Sequence, residues 1–231
     1  MLLGKKIGMT FPRQDTSLGL EPSLLTVLPE GDNVIYSMEN KDFNDEEVEN
    51  YACPVYITGM NEFKEWAKKH DREKIIVGGY EPTINPEEFV PYAKKVMVGP
   101  CDDWYQSIAQ EGNIIKGITT NKKIPRYDLY DIKNNQQIIP DKRFDDICTS
   151  INTSQGCPFK CDFCCSPLMC DKLMSKPLDL IKEEVAYLKQ FNPKFVFIRD
   201  ENFPLQKDWR ERLQAINEMG LRYIFLHQLI F

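Results

Sequence analysis

Short apolar runs recur along the first half of the chain, with a polar segment between each and the next. KKIGMTF (5–11), NVIYSM (33–38), PVYITGM (54–60), KIIVGGY (74–80) and KVMVG (95–99) are rich in Val and Ile and mostly stop at Gly, which predicts five buried strands. The intervening segments LGLEPSLLTVL (18–28), NDEEVENYA (44–52), NEFKEWAKKH (61–70) and NPEEFVPYA (85–93) read as helices. NDEEVENYA opens on an Asn cap with acidic residues behind it, and NEFKEWAKKH on an Asn with three basic residues at its end. Both arrangements suit the helix dipole. DDWYQSIAQEG (102–112) adds a helix with an Asp cap and Gly112 at its end. Strands alternating with helices predict a parallel, doubly wound α/β sheet of the Rossmann or flavodoxin type. A ligand of such a sheet sits at the carboxyl ends of the strands, where the strand order reverses.

The texture then changes. ITTNKKIPRYDLYDIKNNQQIIPDKRFDDI (118–147) is polar, holds two prolines and lacks a clear period. Residues 121–147 therefore read as a connection between a first domain at 1–120 and a second at 148–231. In the second, ICTSINTS (147–154), KFVFIRD (194–200) and LRYIFLHQLIF (221–231) read as strands. PLDLIKEEVAYLKQF (177–191) carries Leu178, Ile181, Val185 and Leu188 at helical spacing, and KDWRERLQAINEMG (207–220) is a helix closed by Gly220. This order is again parallel α/β. Its first βα loop, the kind on which such folds build active sites, contains TSQGCPFKCDFCCS (153–166).

Composition narrows the class. The 231 residues are 42% hydrophobic and 28% charged, as in a globular chain, and no stretch approaches the roughly 20 apolar residues of a membrane span. MLLGKKIGMTF has no apolar run followed by a small-residue cleavage site, so a cytoplasmic protein is expected. A net charge of −6 argues against a chain-wide grip on nucleic acid, while leaving room for a local basic groove.

Four of the eight cysteines crowd into the 153–166 stretch. Cys157, Cys161 and Cys164 form C-x3-C-x2-C, and Cys165 follows directly. Thiols this close pair poorly with one another, and in a cytosolic chain such clusters hold metal or perform catalysis. A structural zinc site usually shows two C-x2-C or Cys/His pairs. Only one C-x2-C is present, His70 and His227 lie far away, and Cys165 or Cys170 would have to complete the set. A bacterial ferredoxin run orders its spacings differently and ends on proline. Buried core thiols are the plainest alternative, against which stand the Gly, Lys and Asp residues around the motif. An iron–sulfur cluster on three cysteines leaves one iron open, and an open position marks a reactive metal site. Cys53, Cys101 and Cys148 read as buried or incidental thiols.

With Phe163 before its last cysteine, the motif closely resembles that of the radical S-adenosylmethionine (radical SAM) superfamily. TSQGCPFKCDFC is similar to the family's SRGCPxxCxFC opening, with Gln155 where Arg is common. KPLDLIKEEVAYL resembles its first helix, and FVFIRDENFP the D-D-x-F segment ending the second strand in the cobalamin-associated branch. VGGYEPTINPEEF resembles that branch's GGxxPT…PEE stretch, and KVMVGPCDDWYQSI stands where VxGEGExxLxEL is usual. The resemblance implies a cobalamin-binding-like domain ahead of the first part of a (β/α)6 partial barrel. It implies a [4Fe–4S] cluster on Cys157, Cys161 and Cys164, with SAM chelating the open iron. An electron from a flavodoxin- or ferredoxin-type donor would then cleave SAM to methionine and a 5′-deoxyadenosyl radical. By position, the Phe163 backbone would meet the adenine, while Asp200 and Glu201 would bind the SAM amino group. A carboxylate suits an ammonium, and the same pair also fits a helix N-cap after a strand. Thr58, Gly78, Gly79 and the loop TFPRQDTSLGL (10–20) would touch cobalamin, although the glycines also fit a tight strand-end turn. The D-x-H-x-x-G motif that places a histidine on cobalt is absent, as it is in many members of the branch.

From Cys164 to Phe231 there is room for about two βα repeats and a third strand, at about 30 residues or more per βαβ unit. The family barrel has six strands, and YIFLHQLIF ends the chain as an unpaired apolar strand. The expectation is a fragment, a truncated reading frame, or half of a split enzyme completed by a second chain. Substrate and reaction, whether methylation, ring formation or methylthiolation, are not legible. Two other functions stay open: a non-catalytic corrinoid-binding protein with a vestigial metal loop, and a zinc-binding interaction module.

Overall fold

A computed structural model of the chain describes residues 7–11, 26–31, 33–37, 46, 48–56, 59–129, 148–190, 193, 195–218, 220 and 222–225. Thr58, residues 12–20 of the first loop, most of the expected helix at 18–28, residues 130–147 of the expected connection and His227 lie outside that set. The chain divides into two compact units, one from Val27–Thr119 with the strand at Ile7–Phe11, the other from Thr120 onward.

The first unit is a six-stranded, all-parallel sheet. Its strands are β1 (Ile7–Phe11), β2 (Val34–Ser37), β3 (Asn50–Pro54), β4 (Ile75–Gly78), β5 (Lys95–Val98) and β6 (Ile114–Lys116). They lie in the order β2-β1-β3-β4-β5-β6. The direction of winding therefore reverses between β1 and β3, where doubly wound sheets bind ligands. β3 and β4 are buried on both faces, as apolar parallel strands require. Helix α1 (Met60–Ala67) lays Phe63 and Trp66 on this sheet, against Tyr51, Cys53, Val55, Ile75, Val77, Phe89 and Val96. Tyr51 meets Trp66 edge-on, with ring centroids 5.1 Å apart. Each such aromatic contributes on the order of 1.5–3 kcal/mol by leaving water.

Two expectations fail here. The tail of NDEEVENYA is strand, not helix, so the strand expected at 54–60 instead begins at Asn50 and helix α1 starts at Met60. Tyr51, Ala52 and Cys53 are all buried, and burial of a continuous apolar run outweighs the capping potential of acidic residues before it. NPEEFVPYA forms only a 3-10 turn at Pro86–Glu88, because Pro91 cannot sit inside a helix. The helical turn falls earlier, as α2 (Tyr80–Ile84). α3 (Trp104–Ile108) forms where expected, with the Asp103 carboxylate accepting from the Gln106 N–H at 3.2 Å. Three-residue β6 is too short to show a period.

The second unit holds a parallel sheet of β7 (Cys148–Ile151), then β10 (Phe195–Ile198) and β11 (Arg222–Phe225), with β10 in the middle. Between β7 and β10 lie β8 (Ser154–Gln155), α4 (Ser166–Met169), β9 (Met174–Ser175) and α5 (Leu178–Lys189). α6 (Trp209–Asn217) joins β10 to β11 and packs beside α5. The expected β-loop-α-β-α-β order is met. The antiparallel ribbon β8–β9, which pairs Ser154 with Ser175 and Gln155 with Met174, is an addition that closes the cysteine loop into a neck.

Candidate cluster and SAM site

The loop carrying the cysteines leaves the carboxyl end of β7 and returns through β9. Its two arms stay paired beyond the ribbon: the Cys157 N–H donates to the Cys170 carbonyl at 3.0 Å, and the Lys176 N–H to the Thr153 carbonyl at 2.8 Å. Gly156 makes this approach feasible. Its φ is +84°, and a Cβ there would lie 2.3 Å from the Lys172 carbonyl and 2.7 Å from the Cys170 sulfur. Any other residue would be strained and would collide with backbone.

Beyond the neck, Cys157 is buried and Cys161 and Cys164 are half-buried. The Cys164 N–H donates to the Cys161 carbonyl at 3.1 Å, so these two share a turn. None of the three is in a disulfide. Cys165 is exposed at the start of α4, and the Cys170 thiol donates to the Lys172 carbonyl at 3.1 Å. Phe159, Phe163 and Leu168 stand out from the same loop, Phe163 being 82% exposed. Among the described residues no three His, Cys, Asp or Glu are close enough to share one metal ion. A four-iron cluster takes each thiolate on a different iron, so its ligands stand farther apart than those of a single zinc. The donor set fits such a cluster: three thiols on a short loop, partly shielded, outside any disulfide.

Asp200 and Glu201 follow β10 and reach the loop differently. Asp200 is 2% exposed and saturated from within. The Thr153 N–H donates to Oδ1 at 2.7 Å, while the Thr153 hydroxyl (2.5 Å), Ser154 hydroxyl (2.7 Å) and Gln206 amide (2.9 Å) donate to Oδ2. A carboxylate offers about four acceptor positions, and these bonds take most of them. Burial pushes its pKa up against the pull of those donors. Glu201 is half-buried and accepts the Gly156 N–H at 3.2 Å, one residue from Cys157. Burial, then the neighbouring Asp200 charge, raise its pKa as well. Of the acidic pair, Asp200 pins the loop and Glu201 keeps acceptor capacity at the cysteines.

Behind the neck lies a buried ionic group that the pattern of the sequence did not single out. The Lys176 ammonium meets Glu184 at 2.6 Å with both side chains essentially inaccessible, and the Tyr127 hydroxyl bonds the other Glu184 oxygen at 2.6 Å. One signal was available. Glu184 sits between Ile181, Val185 and Leu188 on the buried face of α5, where an unpaired carboxylate would be costly.

In the first unit, Gly79 (φ +99°) is demanded by packing, since a Cβ would come within 2.9 Å of the Val55 N and O atoms. A Cβ on Gly78 would make only ordinary contacts with Met97. The glycine pair thus forms the tight turn after β4.

The fold is similar to that of about half of a solved radical S-adenosylmethionine methyltransferase. Over 93% of its length it matches TsrM from Kitasatospora setae, solved with its tryptophan substrate and the SAM analogue aza-SAM, at a TM-score of 0.63 and 12% identity. It matches the same enzyme with cobalamin and a [4Fe–4S] cluster bound at 0.61 and 13%. Two curated proteins are related in sequence. Bacteriochlorophyllide d C-8(2)-methyltransferase of Chlorobaculum tepidum is 26% identical over 66% of the chain, and tRNA-2-methylthio-N(6)-dimethylallyladenosine synthase of Thermodesulfovibrio yellowstonii 25% over 80%. The chain spans 38% and 43% of those two proteins and about half (51%) of TsrM. No protein-family model matches it. The resemblance drawn from the cysteine motif, and the α/β class with it, are borne out.

Proposed function

We propose that the chain carries the cobalamin-binding-like and cluster-binding parts of a radical SAM enzyme that transfers a methyl or methylthio group. The observation that carries this reading is the cysteine loop itself: C-x3-C-x2-C held on a closed neck at the carboxyl end of β7, with Glu201 reaching it from the end of β10. Cys157, Cys161 and Cys164 would hold a [4Fe–4S] cluster. When bound, that cluster supplies one-electron reductive cleavage of the SAM sulfonium to methionine and a 5′-deoxyadenosyl radical. Glu201 accepts hydrogen bonds from the SAM ammonium, a charge-assisted contact. Asp200 acts behind it by fixing residues 153 and 154. The Phe163 backbone would meet the adenine, and the exposed Phe159 and Leu168 would lend apolar surface against water. The substrate is an acceptor of the transferred group, and the electron comes from a flavodoxin- or ferredoxin-type donor. Cobalamin would bind at the strand-end loops of the first unit, beside the Gly78–Gly79 turn.

The test is SAM binding. The reduced, reconstituted chain should change its electron paramagnetic resonance spectrum when SAM is added. Glu201→Gln should need about 10-fold or more SAM for the same change, since a hydrogen bond to a charged group contributes about 1.5–3 kcal/mol. A cluster spectrum indifferent to SAM would sink the reading.

A further inference from the structure

We propose that Arg212, on α6 and remote in sequence from every cysteine, is a positioning residue that sets the width of the cluster loop's neck. Four of its five N–H donors are committed. Nε and Nη2 donate to the two oxygens of Asp208 at 2.7 and 2.8 Å, a bidentate pair with the residue just before α6. Nη1 donates across the neck to the Lys176 carbonyl at 2.6 Å and the Thr153 carbonyl at 3.2 Å. Thr153 enters the loop and Lys176 leaves it, so one nitrogen bonds both arms.

The site is dry, with Arg212 3% exposed and Thr153 0%. Hydrogen bonds from a guanidinium to buried carbonyls are strong there and costly to leave unmade. The planar fork matters: a lysine offers a point charge and cannot serve a carboxylate on one edge and two carbonyls at one corner. Helix α6 is thereby coupled to the loop, and Asp200 fastens the same Thr153 from the end of β10. On the reading of Cys157, Cys161 and Cys164 as cluster ligands, on which this rests, a slack neck lets Cys157 drift from the other two thiols and exposes the cluster to loss.

The experiment compares wild type, Arg212→Met, Arg212→Lys and Asp208→Asn after anaerobic reconstitution. It measures iron and sulfide per chain, the rate of iron release to a chelator from absorbance near 400 nm, and circular dichroism. Arg212→Met should keep its secondary structure and release iron at least 10-fold faster than wild type. Arg212→Lys should recover only part of that. Asp208→Asn, a half-exposed change that leaves the two carbonyl bonds in place but loosens the guanidinium, should release iron about 3-fold faster. That variant decides the matter if Arg212→Met does not fold. Equal release rates in wild type and in whichever variants fold would overturn the clamp. A wild-type chain that takes up no cluster would overturn the reading of the cysteines instead.

Discussion

At the scale of single residues, the cysteine loop depends on two positions for different reasons. Gly156 adopts a left-handed conformation with backbone against its missing side chain. Gly156→Ala should cost about 2–5 kcal/mol, combining left-handed strain with overpacking, and should appear as a lowered unfolding midpoint in urea. Asp200 couples the neck to pH. Its folded pKa lies above the ordinary carboxylate value because burial disfavours the charge. The native state therefore binds more protons than the unfolded chain between those two values, and its contribution to stability is present at low pH and lost as pH rises through that window. Glu201 shifts in the same direction. Asp200→Asn should lower stability, and the margin of wild type over that variant, read from unfolding midpoints of both, should shrink as pH rises through the window. A margin that instead grows through the window would contradict it. The three cysteines and the acidic pair were legible because their chemistry is local. Which carboxylate is saturated was not, since the donors to Asp200 include residues 47 positions away.

At the scale of elements, a buried ion pair ties Lys176, just after β9, to α5. Glu184→Gln would leave the Lys176 ammonium buried without its counter-charge and should cost about 3–5 kcal/mol, read by thermal or urea unfolding. The double change Lys176→Met with Glu184→Leu should recover most of that loss, because it removes both charges together. An equal loss in single and double variants would mean that shape rather than charge is being read. Strands β1, β2, β4 and β5 could be seen in the sequence as short apolar runs, helix α5 through its apolar period, and α1 and α6 through the residues at their ends. β3 was displaced because acidic residues before it imitate a helix start. β6, β8 and β9 have two or three residues each, too few for any period, and exist through partners elsewhere in the chain. Arg212 escaped for the same reason, its carbonyl partners lying 36 and 59 residues away.

At the scale of the whole molecule, two parallel α/β units share one polypeptide, and sheets of this kind bind ligands at the carboxyl ends of their strands. No helix among the described residues is long and apolar enough to cross a membrane. Gly79→Ala should destabilise the first unit by about 1–3 kcal/mol and leave iron content of the second unchanged, which iron analysis beside circular dichroism would check. The cluster is the central claim, and iron and sulfide counts with Mössbauer spectra after anaerobic reconstitution test it most directly. Wild type, Cys165→Ala and Cys170→Ala should each carry about four irons and four sulfides per chain in a [4Fe–4S] signature, and the joint Cys157→Ala, Cys161→Ala, Cys164→Ala variant should carry none. A full [4Fe–4S] spectrum in that triple variant would contradict it, as would a wild-type chain that takes up zinc and no cluster.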